Sequence, residues 1–172
     1  MNRPVSLVRV IRADYANPVH GRALVAVLDA YASDPMGGGE ALSDFSRTHV
    51  VASLAARPHI FSVLAFIGEN ENDVNNAVGL VNCIEGFSTF ACRPLVNIHD
   101  LAVLPGYRGQ GIGAQMLVVV EEIARQRGAC KLTLEVLEGN GGAQRLYQKA
   151  GFAPYALDPV MGSAQFLQKW LG

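Results

Sequence analysis

Arg108-Gly109-Gln110-Gly111-Ile112-Gly113 lies where the spacing of apolar residues changes from that of a strand to that of a helix. Before it, the apolar segment Leu95 to Leu104 ends at Pro105-Gly106; after it, Ile112, Met116, Val119, Val120 and Ile123 fall on one helical stripe. Gly128, following Arg125 and Arg127, is a stop signal for that helix. A glycine-rich turn that opens a helix exposes backbone N–H groups with no intrahelical acceptor, and such donors attract anions. Glycine at alternate positions lets a diphosphate approach the main chain, and Arg108 adds a positive charge, so the turn reads as a pyrophosphate site. A plainer reading stands beside it, in which the glycines only tighten the turn and let the helix pack closely.

Downstream, Lys131 to Leu137 reads as a strand with Leu132, Leu134 and Val136 on one side. Glu138-Gly139-Asn140-Gly141-Gly142 then opens a short helix whose stripe is Ala143, Leu146, Tyr147 and Ala150, stopped by Gly151, with Phe152 packing back onto it. The tail from Met161 to Leu171, with Phe166 and Trp170, is a candidate last strand.

Upstream, Val5 to Arg12 suits an edge strand, and Pro18 to Tyr31 carries Ala23, Leu24, Val27, Leu28, Ala30 and Tyr31 at helical intervals. Ser33-Asp34-Pro35-Met36-Gly37-Gly38-Gly39 cannot continue that helix and reads as a mobile loop. Ser43 to Arg57 is helical again until Pro58. His59 to Ile67 and Ala77 to Ile84 then form an antiparallel hairpin around the polar run Glu69 to Asn76.

The chain has 172 residues, half of them apolar, which suits one well-filled core, so residues 1–172 are expected to form a single domain. With 14 basic and 15 acidic residues the net charge is -1, which excludes binding to nucleic acid or anionic lipid by bulk charge. Apolar runs such as Val63 to Ile67 fall far short of the roughly 20 residues a bilayer span requires. Arg and Asp interrupt any N-terminal segment before signal-peptide length. Cys83, Cys92 and Cys130 match neither a disulfide framework nor a metal clamp, and a cytoplasmic setting is expected.

Gly109-x-Gly111-x-x-Ala114 also fits the dinucleotide fingerprint of nucleotide-dependent oxidoreductases. Against that reading, the motif sits two-thirds along the chain, the upstream strands read as hairpins rather than crossovers, and the acidic candidate Glu135 lies inside a predicted strand.

Arg108-Gly109-Gln110-Gly111-Ile112-Gly113 is similar to the Arg/Gln-x-x-Gly-x-Gly/Ala signature of the GNAT superfamily, the Gcn5-related N-acetyltransferases. Asn140-x-x-Ala143-x-x-Leu146-Tyr147-x-x-x-Gly151-Phe152 resembles that family's second signature, with the intervals preserved. The match is close from Leu95 to Phe152 and rests on element order before that. The resemblance implies an α/β (α+β) fold with a mixed, mostly antiparallel central sheet of about six to seven strands, helices on both faces and a V-shaped opening. It implies acetyl-CoA as cofactor and direct acetyl transfer to a primary amine of a small molecule, or to an amino-terminal or lysine-type acceptor. Backbone amides of Gln110, Gly111, Gly113 and Ala114 would hold the coenzyme pyrophosphate, with Arg108, Gly109 and Ile112 completing the turn. Leu101, Ala102 and Val103 would hydrogen-bond the pantetheine arm. Homodimers are common in the family, and no stretch of this sequence marks an interface.

The chemistry assigns further candidates. An alkyl amine titrates near 10.4, so a base or a water chain must take its proton before attack. His99, an imidazole on the strand that would carry the pantetheine, is the candidate base; a structural histidine satisfied by a neighbour is the alternative. Asn97-Ile98-His99-Asp100-Leu101-Ala102-Val103 resembles the polyamine and small-amine branch of the family, in which a Glu commonly occupies the place of His99. Asp100 is expected to be structural, since successive strand side chains point to opposite faces. Glu85 is a second candidate base or water-holder, with solvation as its alternative. By family analogy Tyr147 is the acid that protonates the leaving thiolate, yet it also sits on the apolar stripe of its own helix and could simply pack. Asn140 is an N-cap, a role compatible with touching the coenzyme. The acceptor site is implied to lie around the first two helices and the Gly37-Gly38-Gly39 loop. A non-catalytic acyl-CoA sensor is the rival from another class. No metal site is expected.

Overall fold

A computed structural model describes residues 7–68, 70–155, 158, 160, 162 and 164–171. In chain order these form β1 (Val8–Arg12), α1 (Pro18–Ser33), α2 (Asp44–Ala55), β2 (Ile60–Ile67), β3 (Ala77–Ser88), β4 (Arg93–Val103), α3 (Ile112–Gln126), β5 (Leu132–Leu134) and α4 (Gly141–Lys149). The sheet order is β1-β2-β3-β4-β5; the first three pairings are antiparallel, and β4 with β5 is parallel. Five strands are described, fewer than the six to seven expected. Of the segment Met161 to Leu171, read as a last strand, residues 162 and 164–171 are described and contain none, residues 161 and 163 lying outside the described residues; β5 stops at Leu134 instead of Leu137. Glu135 accordingly lies one residue beyond β5, not inside it.

Both faces of the sheet are covered, as the near-continuous burial of β2 and the first half of β3 requires. On one face Leu24 and Val27 of α1 pack with Leu64, Phe66, Leu80 and Ala102, and Val50, Val51 and Leu54 of α2 close over them. On the other, α3 buries Met116, Leu117, Val120 and Ile123. A Cβ on Gly79 would lie 2.9 Å from Met116 Sδ, so the helix approaches β3 closely where a side chain is missing.

The chain divides into two compact units, Met1–Leu134 and Glu135–Gly172. The first holds the sheet and α1 to α3, and the second holds α4. Among the described residues no helix is long and apolar enough to cross a membrane, and no group of His, Cys, Asp and Glu could hold a metal ion.

The stretch Ser33 to Gly39, expected to be mobile, is a folded turn. Asp34 O accepts from the amides of Gly37, Gly38 and Gly39 at 2.8, 3.0 and 3.1 Å. Gly37 is obligatory there, because a Cβ would fall 1.9 Å from Tyr31 O. Gly37 therefore reflects tight backbone contact, while Gly39 serves a positive φ of 78°.

Candidate active site

The candidate coenzyme residues of the first unit follow one another along β4, the turn and the start of α3. β4 carries an irregularity at His99: Ile98 pairs with Cys83 and Asp100 with Asn82, so His99 is an extra residue with no partner across the ladder. Its consequence is visible in the backbone. Val96 N–H donates to Lys131 O on the β5 side, whereas Leu104 N–H, eight residues on, donates to Val78 O on the β3 side. A regular strand would aim both amides the same way. Past the bulge, alternation turns Ala102 toward β3 and leaves the main-chain groups of Leu101 and Val103 facing outward. β5 ends opposite Ile98, so among the described residues no strand pairs with that edge of β4.

The bulge also corrects the expectation that His99 and Asp100 lie on opposite faces. Asp100 shares the α1 and α2 face with Asn82, whose Nδ2 donates to Asp100 Oδ2 at 3.0 Å. His99 is exposed. The doubled polar pair His99-Asp100, interrupting apolar alternation, is the sequence signal that could have revealed the bulge.

Pro105–Tyr107 forms a single 3-10 turn and leads into Gly109 and Gly111, with φ of 76° and 80°. Both positions require glycine for their backbone conformation. A Cβ on either would meet no atom of the other described residues within 4 Å beyond its chain neighbours, so close helix packing does not explain them. Gly111 is the N-cap of α3 and offers no side-chain acceptor, whereas α1, α2 and α4 are capped by Asn17, Ser43 and Asn140. The first intrahelical acceptor, Gly111 O, serves Gln115 N at 3.1 Å. The amides of Ile112, Gly113 and Ala114 therefore lie at a helix N-terminus with no capping side chain, an arrangement suited to an anion. Ile112 and Gly113 are buried and fix the turn to the core, while Ala114 is exposed. Gln110 folds back, donating Nε2 to Gly106 O at 3.2 Å.

Arg108 is already engaged. Its Nε donates to Val103 O at 2.9 Å and its Nη2 to Asp34 Oδ2 at 2.7 Å, joining the end of β4 to the turn after α1. Two of its five N–H donors are used in this way. The guanidinium and the Met36 amide hold the Asp34 carboxyl below the usual aspartate range. Asp34 was not legible as its partner, because 74 residues separate the two and nothing local couples them.

Glu85 is not a solvated carboxylate. Arg127 Nη1 donates to its Oε2 at 2.9 Å while the same guanidinium stacks 4.8 Å over the Phe61 ring. Cys83 is buried in the sheet, and desolvation pushes its thiol up to about 12, which leaves it protonated and unreactive.

The second unit carries Asn140 and Tyr147 on α4. Asn140 caps the helix, its Oδ1 accepting from Ala143 N at 3.1 Å. Tyr147 is buried, and its ring meets Phe152 edge-on at 5.8 Å, as expected from their spacing.

A family model described as the acetyltransferase (GNAT) family matches residues 39–152. Streptothricin acetyltransferase of Streptomyces lavendulae is 38% identical over 88 residues, 49% of this chain and 47% of its own length. Thialysine N-epsilon-acetyltransferase of Mus musculus is 37% identical over 84 residues, 49% of this chain and 48% of its own. The chain thus spans about half the length of the curated relatives it matches. Among solved structures, a probable acetyltransferase superposes with a TM-score of 0.77 at 18% identity, covering 94% of this chain and 98% of the other. An aminoglycoside N-acetyltransferase in complex with CoA superposes with a TM-score of 0.72 at 16% identity, covering 98% of both. These structural likenesses, at such identities, establish the fold.

Proposed function

The chain belongs to the GNAT acetyltransferase family, and from that premise we propose that it moves an acetyl group from acetyl-CoA to a primary amine, that of a small molecule or of an amino-terminal or lysine-type acceptor. The observation that carries this reading is the pairing of an uncapped α3 N-terminus with an outward-facing β4 edge. One site suits a diphosphate and the other an amide-bearing arm. The residues present fit acetyl-CoA on this ground: the open space at Gly109 and Gly111 suits the diphosphate, and the outward-facing amides of Leu101 and Val103 and the Leu101 carbonyl suit an amide-bearing arm, the Val103 carbonyl being already engaged by Arg108. When bound, acetyl-CoA supplies an activated thioester and a thiolate leaving group. In this proposal Gly113 and Ala114 amides neutralise the diphosphate, with Gln110 and Gly111 shaping the turn around it. Arg108, held by Asp34, keeps that turn against the end of β4.

In the same proposal His99 takes the proton of the acceptor amine, and its exposure on the bulge suits a group that must exchange protons with solvent. Tyr147 gives a proton or a hydrogen bond to the departing sulfur. The two relatives above are named for acetylation of streptothricin and of the epsilon nitrogen of thialysine, which supports a small-molecule amine as substrate class. A cytoplasmic setting and a homodimer belong to the same reading, the latter checked by sedimentation.

A second reading draws on one observation: Tyr147 is buried against Phe152, a position that suits a core residue. In that case the chain senses acyl-CoA without turning it over. Steady-state acetylation across a panel of small primary amines separates the two. Release of CoA dependent on an amine supports transfer, and tight acetyl-CoA binding with no transfer to any acceptor supports the sensor.

A further inference from the structure

A row of polar side chains crosses the otherwise apolar α1 and α2 face of the sheet. Tyr15, in the connection between β1 and α1, meets Ser62 Oγ of β2 at 2.7 Å. Ser62 Oγ donates to Asn82 Oδ1 of β3 at 2.6 Å, and Asn82 Nδ2 donates to Asp100 Oδ2 of β4 at 3.0 Å. Ser62 is fully buried and Asn82 is 5% exposed, among Leu64, Leu80 and Ala102 on the same face. Apolar residues would fill these positions without the cost of desolvating a hydroxyl and an amide.

The row has a direction. Ser62 has one hydroxyl proton and spends it on Asn82, so the Tyr15 phenol must donate to Ser62. Burial pushes that phenol up from its ordinary value, so it keeps its proton. Every donor therefore points the same way, toward the Asp100 carboxylate, and each bond polarises the next. The row fixes Oδ2 in place, while Oδ1 accepts from no described residue.

Charge distinguishes Asp100 from its neighbours. Asp34 is paired with Arg108 at 2.7 Å, Asp29 with Arg47 at 3.2 Å and Glu85 with Arg127 at 2.9 Å. Asp100 has no ion-pair partner among the described residues, only the neutral Asn82. Its field reaches the adjoining groups: after burial, it is the first cause that raises the Tyr31 phenol on the last turn of α1, and it also raises the Cys83 thiol. A half-buried carboxylate that is oriented, charged and unpaired attracts a cation from outside the chain.

We propose that Asp100, oriented by Tyr15, Ser62 and Asn82, anchors a second, non-reacting ammonium group of the acceptor beside the β4 bulge. This rests on the acetyl-transfer reading above. The reacting nitrogen must be neutral to attack, and a carboxylate stabilises the charged form of whatever amine it holds. Asp100 therefore suits a cationic group elsewhere on the same acceptor, one residue along the strand from His99. The class selected is amines that carry at least two positive charges. Asp100 is the specificity-determining residue, and Asn82, Ser62 and Tyr15 are positioning residues.

The test uses the full chain with 1,5-diaminopentane and with pentylamine, which differ by one ammonium group. KM and kcat are measured with saturating acetyl-CoA, and Kd by calorimetry without it. Asp100→Asn is expected to raise KM and Kd for the diamine about tenfold, leaving values for pentylamine and KM for acetyl-CoA within about twofold. Asn82→Leu and Tyr15→Phe are expected to raise the diamine KM by smaller factors with kcat preserved, while Ser62→Thr, which keeps the hydroxyl, stays near wild type. Should Asp100→Asn fail to fold, wild type alone decides: its preference for diamine over pentylamine must shrink as ionic strength rises. Equal binding of the two amines by wild type, or an Asp100→Asn effect of the same size on both, overturns the proposal. Diamine binding that depends on Asp100 without any acetyl transfer would retire the transfer reading and keep the anchor. Transfer that ignores Asp100 does the reverse.

Discussion

Tyr147 is the residue at which two demands meet. Its helix needs an apolar side chain at that position to cover Phe152, and acid catalysis needs a phenol. Tyr147→Phe separates these, since the ring and its edge contact survive while the hydroxyl is lost. The expected outcome is a fall in kcat of about 100-fold, with acetyl-CoA affinity near wild type; an unchanged kcat removes Tyr147 from the chemistry. At His99 the sequence left a choice between base and structural residue, and exposure on a bulge argues against the second. Cys83 offers a contrast: a nucleophile by residue type, it is silenced by burial, which the apolar run around it already indicated.

Among elements, the strand-to-helix corner was the most legible part of the chain. Glycines at 109 and 111 serve a conformation that only glycine takes readily, so their pattern survives in any sequence that builds this turn. α1 and α2 were equally clear, because an amphipathic stripe and an Asn or Ser cap are local signals. What pairing across the sheet decides was not legible in the same way. β5 is cut to three residues and the bulge at His99 reverses which β4 groups face outward, and both depend on a neighbouring strand. The turn after α1 differs from the expected mobile loop for a related reason, since Gly37 answers to the carbonyl of Tyr31, which no local signal marks. Gly37→Ala is therefore expected to destabilise the protein by about 1–3 kcal/mol and to loosen the Asp34–Arg108 link, observable as a lower urea midpoint.

That link has a defined pH response. The Asp34 carboxyl is held below its ordinary value of 3.8 by Arg108 and by the Met36 amide. Its stabilisation is complete above that value and is lost as pH falls through the lower folded value. Asp34→Asn should thus flatten the acid limb of the melting-temperature profile below about pH 4 and leave the neutral region parallel to wild type. An unchanged acid limb would show that the link carries no linkage.

At the scale of the whole molecule, the fold buries one thiol and exposes another, which provides an internal gauge of unfolding. Cys92 is exposed and Cys83 is buried with its thiol raised to about 12. Iodoacetamide at neutral pH is expected to label Cys92 in the folded protein and Cys83 only in denaturant, with the Cys83 labelling curve following loss of the circular-dichroism signal. Labelling of Cys83 at the rate of Cys92 would mean that the β2, β3 and β4 core opens locally.

The function proposed here depends on main-chain groups, so it is best tested at the main chain. Amide hydrogen exchange on the full chain, with and without acetyl-CoA, reads those groups directly. Marked slowing at Gly113 and Ala114 of α3, together with Leu101 and Val103 of β4, is the predicted result. Slowing confined to other segments, with these amides exchanging at the same rate in both conditions, would contradict it.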